Sequence, residues 1–493
     1  MSDNSSSTSS NNQKLQASFV TVEMWNNESM SYDYVGELIW ARLPGAVDKR
    51  SKKPAIITGF TYHEDYNGPP LDPAGLDYRK NGRSFVSSRV DGKLRKFFHN
   101  MLPGVFGNRV LQSSDKGWLT ISEAQRLGLL SKVHSDFDAI RLNAYLGEED
   151  LKIIDDRTEL DTIVKKIVAY SADQLKDILG GYSDNDKKRL KNALTNLKGA
   201  RGKVDYVHSN GKRFVAKPGL LQDDWNVVRV EYAMGVMEKA AQINSVDSRW
   251  ISLPSGNEVL MSKRYDQDDG LIHRDNEGNP VNCTMRKQYN RISMKAILTQ
   301  MSSMSSKTIA DASYIDIKNA ILQYSAQPVK DVEELYRRII FHTGMNNSDN
   351  NLGNFEMYID DKSEWRLSPS YDVLPDPDTN SEFAVSITDS ITRVNQIDFN
   401  EDFLESIAEK LNIDPERGKV LAKSVIDVIA DSEKYLSDND VQDNDIQKII
   451  SAFRVSEAQA LKEKLQTGFE LNDIDWKSHN EIESGPKEHG MKN

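Results

Sequence analysis

Cysteine is all but missing: one residue, Cys283, in 493 positions. A lone thiol rules out an intramolecular disulfide framework, and the composition fits a reducing cytoplasm. No histidine or asparagine pattern accompanies Cys283, so it reads as an ordinary small residue rather than a nucleophile. Long apolar runs are missing too. None approaches the ~20 residues that span a bilayer, and the amino terminus lacks a charged-then-apolar signal segment, so neither a membrane anchor nor export is expected. Positive charge is in deficit: 63 Lys and Arg stand against 75 Asp and Glu, a formal net charge of −12. A broad nucleic-acid-binding face would show a basic patch, so any DNA contact is assigned to a partner. Internal repeats are also absent.

What is present is an ordinary globular composition, 38% hydrophobic and 28% charged, in a chain too long for the ~250–300 residues one core supports. Residues 1–17 begin with a Ser/Asn-rich run and are expected to form a disordered tail, and 471–493 a flexible one. Residues 18–148 open with strand-like pieces (SFVTVEMW, YVGELIWARL, AIITGFTY) and turn helical. Residues 149–198 combine helical periodicity with dense alternating charge, which predicts a solvated helical insertion or linker. Residues 199–270 read as strands around one amphipathic helix, WNVVRVEYAMGVMEKAAQI, and 271–470 as a mainly helical lobe. Strands with one helix followed by a helical lobe is the order of a bilobal kinase with ATP between its lobes.

The most informative stretch runs from His342 to Pro375. Asp349 closes an apolar run (Leu335, Ile339, Ile340, Phe341), Asn354 follows five residues later, and Asp372 sits in a Tyr-Asp-Val turn. Phosphoryl transfer needs this set: one carboxylate to accept the substrate hydroxyl proton, and an amide oxygen with a second carboxylate to hold magnesium against ATP. A loop built from the usual turn formers would account for the asparagines alone. Upstream, Lys217 ends the apolar strand Phe214-Val215-Ala216, where a lysine can neutralise phosphates or simply be solvated. Glu231 on the next helix could hold it or pair with Arg229 or Lys239. The segment Lys198-Gly199-Ala200-Arg201-Gly202-Lys203 carries two glycines and three cations able to cradle phosphate, or makes a basic turn. Lys263-Arg264-Tyr265-Asp266 leaves a strand where one lobe passes to the next and could offer backbone groups to adenine.

Taken in order, these elements resemble the HipA family of bacterial Ser/Thr kinases, the toxins of HipA/HipB modules. The family's Asp-x-His-x-x-Asn core and Tyr-Asp turn match Asp349–Asn354 and Tyr371-Asp372. Its Gly-Gly-Ala-Arg-Pro-Lys loop matches Lys198–Lys203, its lysine before proline Lys217-Pro218, its helix glutamate Glu231, and its Glu-Arg-Phe-Asp hinge Lys263–Asp266. The resemblance spans roughly residues 18–470, with 18–148 as the family's amino-terminal subdomain. It implies an α+β fold, bilobal and protein-kinase-like (HipA or phosphatidylinositol-kinase-like), with a strand-rich amino-terminal lobe. By it, Asp349 is the catalytic base, and Asn354 and Asp372 hold Mg2+. Lys217, with Gly199, Ala200 and Arg201 of the loop, contacts ATP, Glu231 supports the lysine, and the Lys263–Tyr265 backbone takes adenine. The implied activity is ATP- and Mg2+-dependent Ser/Thr phosphorylation of a cellular protein, an aminoacyl-tRNA synthetase being the family's best-known target class. The implied partner is a small helix-turn-helix antitoxin.

Three positions depart from the pattern. Asn351 replaces the family histidine, and Gly202 replaces a loop proline, which predicts a more mobile phosphate loop. Asn196 replaces the serine that such kinases autophosphorylate, so either Thr195 substitutes or the switch is absent. Asn351 and Asn196 motivate the alternative of a pseudokinase or regulatory ATP-binding protein on the same fold.

Overall fold

In the amino-terminal third, strand β1 (Gln16–Asn26) alternates an exposed face with a buried one formed by Val20, Val22 and Met24, the period of a half-buried strand. It pairs antiparallel with β2 (Ser31–Val47), which pairs with β3 (Pro54–Tyr62), and that with β4 (Ser84–Val86). Strands β5 (Asp136–Phe137) and β6 (Ile140–Leu142) complete a six-stranded sheet in the order β4-β3-β2-β1-β6-β5. Four helices, α1 (Tyr78–Asn81), α2 (Lys96–His99), α3 (Val105–Ser114) and α4 (Glu123–Val133), fall between β3 and β5. The computed structural model describes residues 16–468 except 50–51, 88, 116, 134–135, 138, 143–156, 170–193, 195–200, 279, 303–311 and 388–396. Residues 16–17, expected in a tail, belong to β1. The tails proper, Thr195, Asn196, Gly199, Ala200 and most of 149–198 lie outside the described residues.

A second sheet, order β7-β8-β10-β9, is built from β7 (Val204–Val207), β8 (Arg213–Pro218), β9 (Ser248–Ser252) and β10 (Glu258–Lys263). Helix α5 (Arg157–Val168) packs on one face of it through Leu160, Ile163, Val164 and Ile167, spaced i, i+3, i+4 and i+7. These meet Val204, Phe214, Ala216, Val259 and Met261 in a core of their own. Within 149–198, Arg157–Val168 is thus a helix that caps the sheet rather than a solvated insertion, with Asp161 buried beside its apolar stripe. The other face receives helix α6 (Val227–Ala240), capped by the Asn226 side chain, which accepts from the Arg229 amide.

The first helix of the 271–470 lobe begins at Met294, and strands precede it. A hairpin, β11 (Gln267–Arg274) with β12 (Pro280–Gln288), leads to a three-stranded sheet of β13 (Arg291–Ser293), β14 (Glu356–Ile359) and β15 (Trp365–Leu367). Around this sheet stand α7 (Met294–Ser302), α8 (Tyr314–Tyr324), α9 (Pro328–Gly344), and then α10 (Glu401–Lys410), α11 (Pro415–Ala430), α12 (Ser432–Asp438), α13 (Asp443–Ile449) and α14 (Val455–Gly468). Helix α9 starts on Pro328, where a missing N–H costs nothing, and buries Val332, Leu335, Tyr336, Ile339, Ile340 and Phe341. The largest core runs without a break from the amino-terminal sheet through α6 to α14. No helix among the described residues is long and apolar enough to cross a membrane.

Candidate active site

The site lies where β8 and α6 meet the loops that follow α9 and β15. Along β8, Phe214 and Ala216 point to α5, so the pleat turns Lys217 to the α6 side. There its Nζ donates to Glu231 Oε1 at 2.5 Å and to Asp372 Oδ1 at 2.6 Å. The structure thus brings together Lys217, Glu231 and Asp372, and sets aside the pairing of Glu231 with Arg229, whose guanidinium goes to Glu258. Asp372 has φ of +62°, left-handed backbone that Asp tolerates better than most residues but still at a cost of about 1 kcal/mol or more. That conformation turns its carboxylate back to the lysine.

The electrostatics follow from burial and charge. Burial alone would lower the Lys217 pKa, but Asp372 and Glu231 outweigh it and hold the lysine above its ordinary value. Lys217 in turn keeps Asp372 well below the usual carboxylate range, with Lys203 and Arg201 adding to the effect. Glu231 is raised by burial, against Lys217. The lysine side chain is 10% exposed, whereas that of Asp372 is 36% exposed. Asp372 is therefore an ionised carboxylate that a ligand can still reach.

Asp349 follows α9 through Asn346, also left-handed at φ +51°. The Asn346 amide donates to the carbonyl of Asp376 at 2.5 Å, and Ser348 Oγ to its carboxylate at 2.6 Å. These bonds tie the loop to the segment beyond Asp372. Asp349 itself is exposed. Its pKa is raised by partial burial, by Asp372 and by Asp376, which puts the two key aspartates within electrostatic reach of each other. Asn351 turns back on its own loop: its side-chain oxygen accepts from the Gly353 amide at 2.8 Å, an Asx turn. Asn354 follows, its N–H bonded to the Asn351 carbonyl at 2.9 Å.

Two expectations gain detail at the edges of the site. The Lys263 amide donates to the Asp247 carbonyl at 2.7 Å and the Arg264 amide to the Arg213 carbonyl at 2.9 Å, while the Lys263 ammonium pairs with Asp268 at 2.7 Å. Two of the three hinge amides are thus committed to the fold, and of these N–H groups only that of Tyr265 stays with the adenine expectation, beside the hinge carbonyls. The Tyr265 ring stacks on Tyr371 and donates to Glu356 at 2.5 Å. Gly202 itself is buried against α5. A Cβ there would lie 2.5 Å from Ile167 Cγ2 and 3.3 Å from Phe106, so the stem of the loop is seated on α5. Gly202→Ala is expected to cost about 1–3 kcal/mol through overpacking. Ile167→Leu, which removes the β-branch, should restore part of it in the double variant, as read from urea midpoints.

Sequence reasoning passed over Lys203 as one cation of a basic loop. Burial lowers its pKa, with Lys217 and Arg201 in the same direction and Asp372 and Glu231 opposed, so it belongs to the cluster around Asp372. Arg201 pairs with Asp223, which also accepts from the Leu220 amide. Among the described residues no three His, Cys, Asp or Glu gather into a metal cage. Asp372 with Asn354 could hold one hard cation, provided ligand oxygens complete its shell.

Residues 195–433 match the family model for the HipA-like C-terminal domain. No curated protein matches the chain by sequence. HipA of Shewanella oneidensis MR-1, solved with HipB and its operator DNA, superposes with a TM-score of 0.57 at 11% identity, covering 92% of this chain and 100% of that one. A Helicobacter pylori proinflammatory kinase, CtkA, gives a TM-score of 0.37 at 13% identity over 56% of this chain and 95% of that chain. Residues 195–433 thus carry a HipA-like C-terminal domain, and the chain shares the fold of the Shewanella HipA along nearly its whole length.

Proposed function

We propose that this protein is an ATP- and Mg2+-dependent Ser/Thr protein kinase of the HipA toxin type, acting on a cellular protein in the cytoplasm. The observation that carries the reading is the lysine held between two carboxylates, Lys217 with Glu231 and Asp372, with Asp349 within electrostatic reach. Transfer of a phosphoryl group asks mainly for positioning and for neutralised charge. Lys217, Lys203 and Arg201 supply positive charge where ATP phosphates would lie. Asp349 accepts the proton of the attacking hydroxyl, and its raised pKa strengthens it as a base. Magnesium on Asp372 and Asn354 would neutralise phosphate oxygens.

Labelling with γ-labelled ATP tests the reading: wild type is expected to place label on serine or threonine of a protein in a cell lysate. Lys217→Met should weaken Mg-ATP binding about tenfold to a hundredfold, the worth of a charge-assisted contact, read by calorimetry. Mg-ATP binding by wild type with no labelled protein would identify a regulatory ATP-binding protein instead. A helix-turn-helix antitoxin is the proposed partner and carries any DNA contact. The HipB and operator DNA solved with the Shewanella HipA and the net charge of −12 support it.

A further inference from the structure

Seven residues beyond Glu231, on the same face of α6, Glu238 is 1% exposed and far from any role in holding phosphate. A carboxylate at that depth is costly unless it is well partnered, and its partners are informative. Glu238 Oε1 accepts from Ser370 Oγ at 2.6 Å. Ser370 stands two residues before Asp372 and is pinned by its backbone, its N–H donating to the Asn244 carbonyl at 2.7 Å and its carbonyl accepting from Val246 at 3.0 Å. Glu238 Oε1 also faces the buried His342 Nε2 across 3.7 Å, an electrostatic contact longer than a hydrogen bond.

His342 is the step to the other loop. Its Nδ1 is bonded to the Asn350 amide, which also donates to Tyr314 Oη at 3.1 Å, and Asn350 adjoins Asp349. Burial lowers the His342 pKa against Glu238. With Nδ1 accepting, the neutral ring carries its proton on Nε2, toward Glu238. Ser370, Glu238, His342, Asn350 and Tyr314 are all buried. They make one polar column beneath the two loops that present Asp372 and Asp349.

We infer that Glu238 is a positioning residue, which holds the Asp372 turn through Ser370 and the Asp349 loop through His342 and Asn350, and so sets the two carboxylates in register. This rests on the kinase reading. Helix α6 then carries two carboxylates with separate duties, Glu231 on the phosphate lysine and Glu238 beneath the catalytic loops.

Glu238→Gln keeps the side-chain shape but removes the charge that faces His342. In this variant the transfer rate should fall about tenfold or more, and by more than Mg-ATP affinity falls, because the Lys217 end of α6 is untouched. Hydrogen exchange followed by mass spectrometry should show amides of 345–354 and 370–374 opening at least about tenfold faster, while α11 exchanges as in wild type. Ser370→Ala removes a single bond and should loosen 370–374 alone, which keeps the idea testable if Glu238→Gln fails to fold. Unchanged exchange in both loops of folded variants overturns the inference, as does an equal rise in α11. Should wild type itself transfer no phosphate, the kinase reading fails, and exchange still decides whether Glu238 holds the loops.

Discussion

Asp349→Asn is expected to fold, to bind Mg-ATP as wild type does, and to transfer phosphate about a hundredfold to ten-thousandfold more slowly, the range a general base contributes. The side chain is exposed, so the fold does not depend on it. The loop is instead held by Asn346 and Ser348 against the Asp376 segment and by the Asx turn of Asn351. The charge it carries works against the fold, since Asp372 and Asp376 both raise its pKa. A neutral amide relieves that repulsion, so the variant should be no less stable than wild type in urea. The pH dependence has a definite sign. The raised pKa means that the basic form is lost at a higher pH than an ordinary aspartate would allow, so wild-type transfer declines on acidification along a limb that reports Asp349. A variant that labels substrate at the wild-type rate would remove Asp349 from the chemistry.

The site was legible in the sequence because its parts are ordered and chemically distinctive. A strand lysine, a helix glutamate, two aspartates and an asparagine are few enough to be named, and the fold brings Lys217, Glu231 and Asp372 into contact. What escaped reading depends on burial, which one sequence does not display. Lys203 reads as a loop cation until its desolvation is known. Gly202 shows no packing partner in the sequence, where Ile167 lies thirty-five positions away, yet the two are in contact in the fold. Helix α5 hides an apolar stripe of Leu160, Ile163, Val164 and Ile167 within alternating charge, although the i, i+3, i+4, i+7 spacing was there to be counted. The β11–β12 hairpin had a signal as well: Asp275-Asn276-Glu277-Gly278 is a turn sequence, with Gly278 at φ +86°. Its polar strands lacked the apolar alternation that marks a half-buried strand. At the hinge, that Lys263 and Arg264 spend their amides on the carbonyls of Asp247 and Arg213 depends on strand neighbours that one sequence does not display.

Asp266→Ala is expected to cost about 3–5 kcal/mol, the penalty for removing one carboxylate from a buried ionic network and leaving it with an excess positive charge. Asp266 stands in the middle of an ionic chain that crosses the hinge. Arg213 pairs with Asp205 at 2.7 Å, and Asp205 with Arg264 at 3.2 Å. Arg264 pairs with Asp266 at 2.5 Å, and Asp266 with Arg291 at 2.9 Å. Arg291 then reaches Glu356 at 2.7 Å. Asp205, Arg264, Asp266 and Glu356 are all buried, so water cannot replace a lost partner. The chain begins on the sheet that carries Lys217 and ends on Glu356, which accepts from Tyr265, stacked in turn on Tyr371 next to Asp372. Loss of Asp266 should therefore loosen the hinge and the Asp372 turn together, lowering the urea midpoint and the transfer rate in one variant. Replacing the pair by apolar groups of similar volume, Arg264→Met with Asp266→Leu, should recover most of the stability, because Arg213 still neutralises Asp205 and Glu356 still neutralises Arg291. A cost below about 1 kcal/mol for Asp266→Ala would mean that water reaches this chain and that packing alone sets the angle between the lobes.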